Sequence, residues 1–157
     1  MKTWGEFKQK IRSDYVKVKI KKIHEDAVIP KYQKKGDAGF DLYAVENRII
    51  HTNETKVVKT GLKMAIPDGY EVQIRPRSGL SLKTGLRVAN SPGTIDSGYR
   101  GEVGVIMHNA NKYKEEIVYK GDRIAQGVLK KVPVAEFMEV DELDDTERGE
   151  GGFGHTG

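Results

Sequence analysis

At 157 residues, with 37% hydrophobic side chains and no cysteine, the chain is long enough to bury one core without staples, and disulfide and thiolate chemistry are excluded. No apolar run approaches the roughly 20 residues a membrane span needs, and the N-terminus MKTWGEFKQKIRSDY lacks an apolar leader. A cytoplasmic protein is therefore expected, or one of the host cytoplasm if the source is viral. The formal net charge of +4 is uneven, because residues 1–35 carry 11 basic and 4 acidic side chains and the remainder is net acidic. That pattern argues for a solvated lysine-rich face over a nucleic-acid partner.

Along the chain, Trp4, Phe7 and Ile11 recur at helical spacing among charged residues, which predicts a short amphipathic helix within an N-terminal extension, 1–15. From Val16 to Ile23 the pattern VKVKIKKI alternates strictly, the mark of a half-buried edge strand protected by lysines. A glycine-bounded segment, Gly36 to Ala44, leads to strands near Arg48 to Ile50, Glu54 to Lys59 and Lys63 to Ile66. Pro67, Asp68 and Gly69 then form a turn before a strand over Tyr70 to Ile74. Ser78 is predicted as the N-cap and Gly85 as the stop of a one- to two-turn helix, whose free N–H groups beside Arg77 suit a phosphate.

The stretch Gly93 to Gly101, GTIDSGYRG, lies between Val88-Ala89 and the alternating Val103, Val105 and Met107. It is predicted to connect a β-hairpin, with Asp96, Ser97 and Gly98 supplying the turn chemistry. Two readings of its exposed groups stand open. Asp96 serves as a general base and the Tyr99 ring as a wall for a ring-shaped ligand, or Asp96 caps its own turn and Tyr99 packs on the core. Further on, Ile117 to Tyr119 and Asp122 to Val128 read as strands joined at Lys120-Gly121. Gln126, alone among apolar neighbours, either satisfies backbone groups or reaches a ligand. Val132 to Val140 is a last strand, placed at an edge by Pro133, and closes an all-β domain over 16–140. Eight acidic residues then fall between Glu136 and Glu150 and glycine follows, so residues 141–157 are expected to be a mobile arm.

Five separated stretches, AGFDLYA, PRSGLSLKTGL, GTIDSGYRGEVGV, GDRIAQ and RGEGGFGHTG, stand in one order between Ala38 and Gly157. Together they closely resemble the five motifs of the trimeric deoxyuridine triphosphatase (dUTPase) family. The resemblance implies a β-sandwich, jelly-roll-like subunit with one short helix, assembled as a homotrimer with shared active sites. It implies hydrolysis of dUTP to dUMP and pyrophosphate, which keeps uracil out of DNA and supplies dUMP for thymidylate synthesis. By position, Asp96 matches the base that activates the attacking water, and Tyr99 the ring that leaves no space for a 2′-hydroxyl. Asn90, Thr94, Ile95 and Gly104 match positions that hold the uracil edge and sugar. Arg77, Ser78, Gly79 and Gln126 fall where the phosphates are held. Arg148, Phe153 and Gly154 fall in the closing arm, Arg148 at the γ-phosphate and Phe153 as a ring over the uracil. Mg²⁺ is implied on the triphosphate itself. Asp41 is then a residue that meets the ion indirectly or makes a structural hydrogen bond, and no direct protein ligand is implied.

The nearest rival is a dCTP deaminase, whose pattern resembles this one but keeps a catalytic glutamate three residues before an asparagine. Here Ile106 holds that place before Asn109, and a hydrocarbon side chain cannot move a proton. A second rival is a nucleotide-sensing module with the basic N-terminal segment as its partner surface. Asp96 and Arg148 favour catalysis. Two departures from the family pattern remain: the first 15 residues match nothing in it, and His155 stands where a small serine is more usual.

Overall fold

The computed structural model describes residues 15–154, so the helix expected over 2–14 and the departure at His155 lie outside the described residues. Among the described residues, ten strands and one short helix follow in chain order. They are β1 (Lys19–Lys22), β2 (Phe40–Tyr43), β3 (Arg48–Ile50), β4 (Thr55–Ala65), β5 (Tyr70–Arg75), α1 (Ser78–Lys83), β6 (Leu86–Val88), β7 (Gly93–Ile95), β8 (Glu102–Asn109), β9 (Glu116–Val118) and β10 (Arg123–Lys131). One sheet runs β1-β4-β8-β6, a second β2-β10-β5-β7, and β3-β9 is a small ribbon. Every pairing is antiparallel. No helix among the described residues is long and apolar enough to cross a membrane.

Period-2 alternation accounts for the core. Along β8, Val103, Val105, Met107 and Asn109 are buried while their neighbours are half exposed. Val103, Val105 and Met107 meet Leu42, Val72, Ile74 and Ala125 of the second sheet in one cluster. Each such side chain contributes about 1.5–3 kcal/mol on leaving water. The polar member of the β8 row, Asn109, is fully buried and fully used: its amide donates to the carbonyls of Ile50 and Lys114, and its oxygen accepts the Asn111 N–H.

The strands expected at Glu54 to Lys59 and Lys63 to Ile66 are one continuous strand, β4, interrupted by a bulge instead of a loop. Lys59 pairs with Gly104 and Lys63 with Glu102, so β4 carries two more residues than β8 across this step. An excess of two preserves the alternation, and Val58, Thr60, Leu62 and Met64 all face inward. Gly61 occupies the bulge at φ +65°, a backbone region closed to most side chains.

Four other expectations are corrected. Gly93 to Gly101 does not close a simple hairpin. Val88 does pair with Met107, but between them the chain crosses over and β7 joins β5 in the opposite sheet. The edge strand at Val16 to Ile23 is ordered as a ladder only over β1. Val132 to Val140 forms no ladder, because beyond Lys131 the chain keeps one sheet-like bond, Val132 N–H to the Gly69 carbonyl, and then leaves the body with Val134, Phe137 and Met138 exposed. Ser78 is the first helical residue, not the cap. Arg77 holds the N-cap position without a side-chain bond, and the helix stops at Thr84, whose hydroxyl donates to the Leu80 carbonyl.

Candidate active site

The crossing between sheets builds a cleft. β7 is held on β5, with Thr94 opposite Gln73 and Ile95 opposite Val72, while Gly104 and Ile106 belong to β8. Between them opens a cavity of about 200 Å³, lined by Asn90, Thr94, Ile95, Asp96, Tyr99 and Gly104, together with Ile74, Gly93, Glu102, Val103 and Ile106. The turn that carries Asp96 is closed by its backbone, the Tyr99 N–H donating to the Asp96 carbonyl at 3.1 Å, so the carboxylate is left at the cleft. The Tyr99 ring lies across Gly101, where a Cβ would collide with it, and its hydroxyl donates to the Glu102 carbonyl at 3.0 Å. Asp96 and Tyr99 thus both line the cavity, and neither is buried in the core. Ile95 turns its side chain into the core, which leaves its backbone to face a ligand. Gly93 lies where a Cβ would crowd the Asn90 amide and Ile74, and this close approach lets Asn90 reach the cleft.

A second cavity, about 310 Å³, is lined by Arg77, Ser78, Gly79, Gln126 and Asp41 with Gln33, Asp37, Ala38 and Gly39. The two cavities share no lining residue. The antiparallel register places Gln126 on β10 between Asp41 on β2 and Arg75 on β5. Gln126 satisfies a backbone group, its amide N–H donating to the Pro76 carbonyl at 2.9 Å, and the residue also lines the cavity. Asp41, nearly buried, receives Arg77 at 2.9 Å and Arg123 at 3.3 Å on its two oxygens. Its observed role is structural, as the anchor for two guanidinium groups. The six-residue α1 is too short to lend much macrodipole, and Arg77 is the one cationic side chain among the residues lining this cavity.

Arg148, Phe153 and Gly154 line neither cavity. The Arg148 guanidinium donates to the Gly151 carbonyl three residues on, and Phe153 is fully exposed. Sequence reasoning missed Arg123, although GDRIAQ contains it, and Glu102, which follows the Tyr99 turn. Ile106, the residue that argued against deamination, lines the first cavity. Elsewhere among the described residues, the Glu54 carboxyl is held below its ordinary value, chiefly by the His51 N–H and then by Lys56.

The fold is thus an antiparallel β protein with an acid and a ring in one cleft and Arg77, held by Asp41, in another. The dUTPase family model matches residues 25–157, and the chain belongs to the dUTPase family. A deoxyuridine 5′-triphosphate nucleotidohydrolase of Nautilia profundicola is 56% identical over 142 residues, covering 90% of this chain and 99% of that one. The enzyme of the same description from Wolinella succinogenes is 53% identical, covering 90% and 95%. Among solved structures, a Staphylococcus bacteriophage 80alpha dUTPase mutant with dUpNHpp superposes with a TM-score of 0.81 at 29% identity, covering 90% of this chain and 98% of that one. A dUTPase mutant from phage phi11 of S. aureus, described with a structural Mg(II) ion, gives 0.77 at 27% identity, covering 82% and 99%.

Proposed function

We propose that this chain hydrolyses dUTP to dUMP and pyrophosphate, acting in the cytoplasm, or in the host cytoplasm if the source is viral, to keep uracil out of DNA and supply dUMP. The observation that carries the reading is the pairing of the Asp96 carboxylate with the Tyr99 ring in one cavity. Asp96 orients a water and takes its proton as the water oxygen bonds to the α-phosphorus. The bond from that phosphorus to the bridging oxygen breaks, and pyrophosphate leaves. Asn90 and the backbone of Thr94 and Ile95 read the uracil edge, and Gly104 leaves room for the ring. Tyr99 rejects ribose by occupying the place of a 2′-hydroxyl, a specificity gained through exclusion.

Arg77, Ser78, Gly79 and Gln126 hold phosphate oxygens, with Arg77 presented by Asp41. A single chain keeps these groups apart from Asp96, in separate cavities, which supports a homotrimer whose sites draw on more than one subunit. The N-terminal extension (1–15), β domain (16–140) and arm (141–157) are the units of this reading. Arg148, Phe153 and Gly154 come over the bound nucleotide when the arm closes, shutting out water.

Mg²⁺ fits as a passenger of the triphosphate. Both Asp41 oxygens are already engaged by arginines, and phosphate oxygens with water are the ligands this hard ion prefers. Bound there, it offsets triphosphate charge and polarises the phosphoryl oxygens. The test is pyrophosphate release with Mg²⁺ from dUTP, dCTP, dTTP and UTP offered separately. Release from dUTP alone is expected, and silence on all four despite tight dUTP binding would favour the sensing module.

A further inference from the structure

Glu102 stands where the β4 bulge meets the Tyr99 turn. Its carboxylate accepts the Gly61 N–H at 2.9 Å, and its own carbonyl accepts the Tyr99 hydroxyl at 3.0 Å. The adjacent carbonyl, that of Val103, accepts the buried Thr60 hydroxyl at 2.6 Å. Bulge and tyrosine are thus tied to two successive residues at the start of β8. The bulge has little freedom to move, since Gly61 is packed against His24 and Ala27 so closely that a Cβ there would come within 2.7 and 3.0 Å of theirs. The tyrosine has more freedom: its ring is 46% exposed and rests on Gly101, so its tilt depends on where the Glu102 carbonyl sits.

We infer that Glu102 is a positioning residue for sugar discrimination, fixing the Tyr99 ring by locking the first residue of β8 to the Gly61 bulge. Without the carboxylate the Gly61 N–H, in a buried residue, is left unpaired, and because the bulge is pinned, relief comes by the start of β8 shifting against it. The Glu102 carbonyl moves with it, the tyrosine tether lengthens, and the ring no longer guards the space of a 2′-hydroxyl. The inference rests on the exclusion role proposed for Tyr99.

The experiment compares kcat/KM for dUTP and UTP in the full-length protein and in Glu102→Ala, Glu102→Gln, Tyr99→Phe, Tyr99→Ala and the Glu102→Ala/Tyr99→Phe pair. Glu102→Ala is expected to lower the dUTP-to-UTP ratio about tenfold, with sedimentation unchanged and the melting temperature lowered by only a few degrees. Glu102→Gln keeps the ratio within about threefold, because its amide oxygen still accepts the Gly61 N–H. The double variant is no worse than Tyr99→Phe, since both act through one tether. An unchanged ratio in Glu102→Ala, additive losses in the double variant, or equal damage from Gln and Ala overturns the inference. If Tyr99→Ala leaves the ratio intact, the exclusion role of Tyr99 fails instead. Should Glu102→Ala not fold, Glu102→Met keeps the length without the acceptor, and a failure of both to fold makes Glu102 a stability residue and overturns the inference.

Discussion

The two cavities are built on different principles. The Asp96 cavity is a backbone construction, in which a closed turn, two glycines and a strand crossing between sheets fix the shape, and its one carboxylate at the turn is offered to solvent. The Arg77 cavity is an electrostatic construction, in which a nearly buried aspartate spreads two guanidinium groups before any anion arrives. On the proposed reading the difference is a division of labour: shape decides which nucleoside enters, and preset charge decides what is attached to it. Shape is insensitive to salt, whereas charge is screened over about 8–10 Å at ordinary ionic strength.

The sharpest way to separate the two is Asp96→Asn, which preserves shape and removes the base. Turnover of dUTP is expected to fall at least about a thousandfold while affinity stays within about tenfold, read by pyrophosphate release and calorimetry. Truncation after Glu147 breaks the comparison differently, since it leaves both cavities intact. Loss of activity with an unchanged trimer in sedimentation is the expected result, and full activity would remove the arm from the mechanism. A smaller effect is expected from Asp41→Ala, which frees Arg77 and Arg123. KM for dUTP should rise about five- to tenfold, with a stability loss of about 1 kcal/mol after solvent screening at the half-exposed Arg123, and the KM defect should change with salt.

The smallest effect belongs to Glu54, remote from both cavities. Its folded pKa lies below the ordinary 4.5, so its contribution is present above pH 4.5 and is lost as pH falls through the lowered folded value. Glu54→Gln should therefore melt lower than the parent at pH 7, the gap should close in acid, and activity should not change.

What the sequence disclosed follows from the range of the forces involved. Alternation is a local signal, and it located β8 and β5 almost to the residue. The bulge was missed because Thr60 and Gly61 look like loop chemistry. Only their distant acceptors, Val103 and Glu102, make the pair part of a strand. The hairpin reading failed for a related reason: Val88 and Met107 do pair, but nothing local tells β7 to join β5. That Asp96 and Tyr99 stand exposed was legible because turn chemistry presents its polar groups outward. The grip of Asp41 on Arg77 and Arg123 spans 36 and 82 residues of chain and leaves no local mark.

The run that leaves the body after Val132 carries Val134, Phe137, Met138 and Leu143 bare to solvent, on the way to Arg148. A dilute solitary copy would therefore be adhesive, prone to clump or to coat surfaces. Specific activity should then depend on protein concentration, and handling at nanomolar levels without a carrier would look like a poor enzyme when the fault lies in dilution.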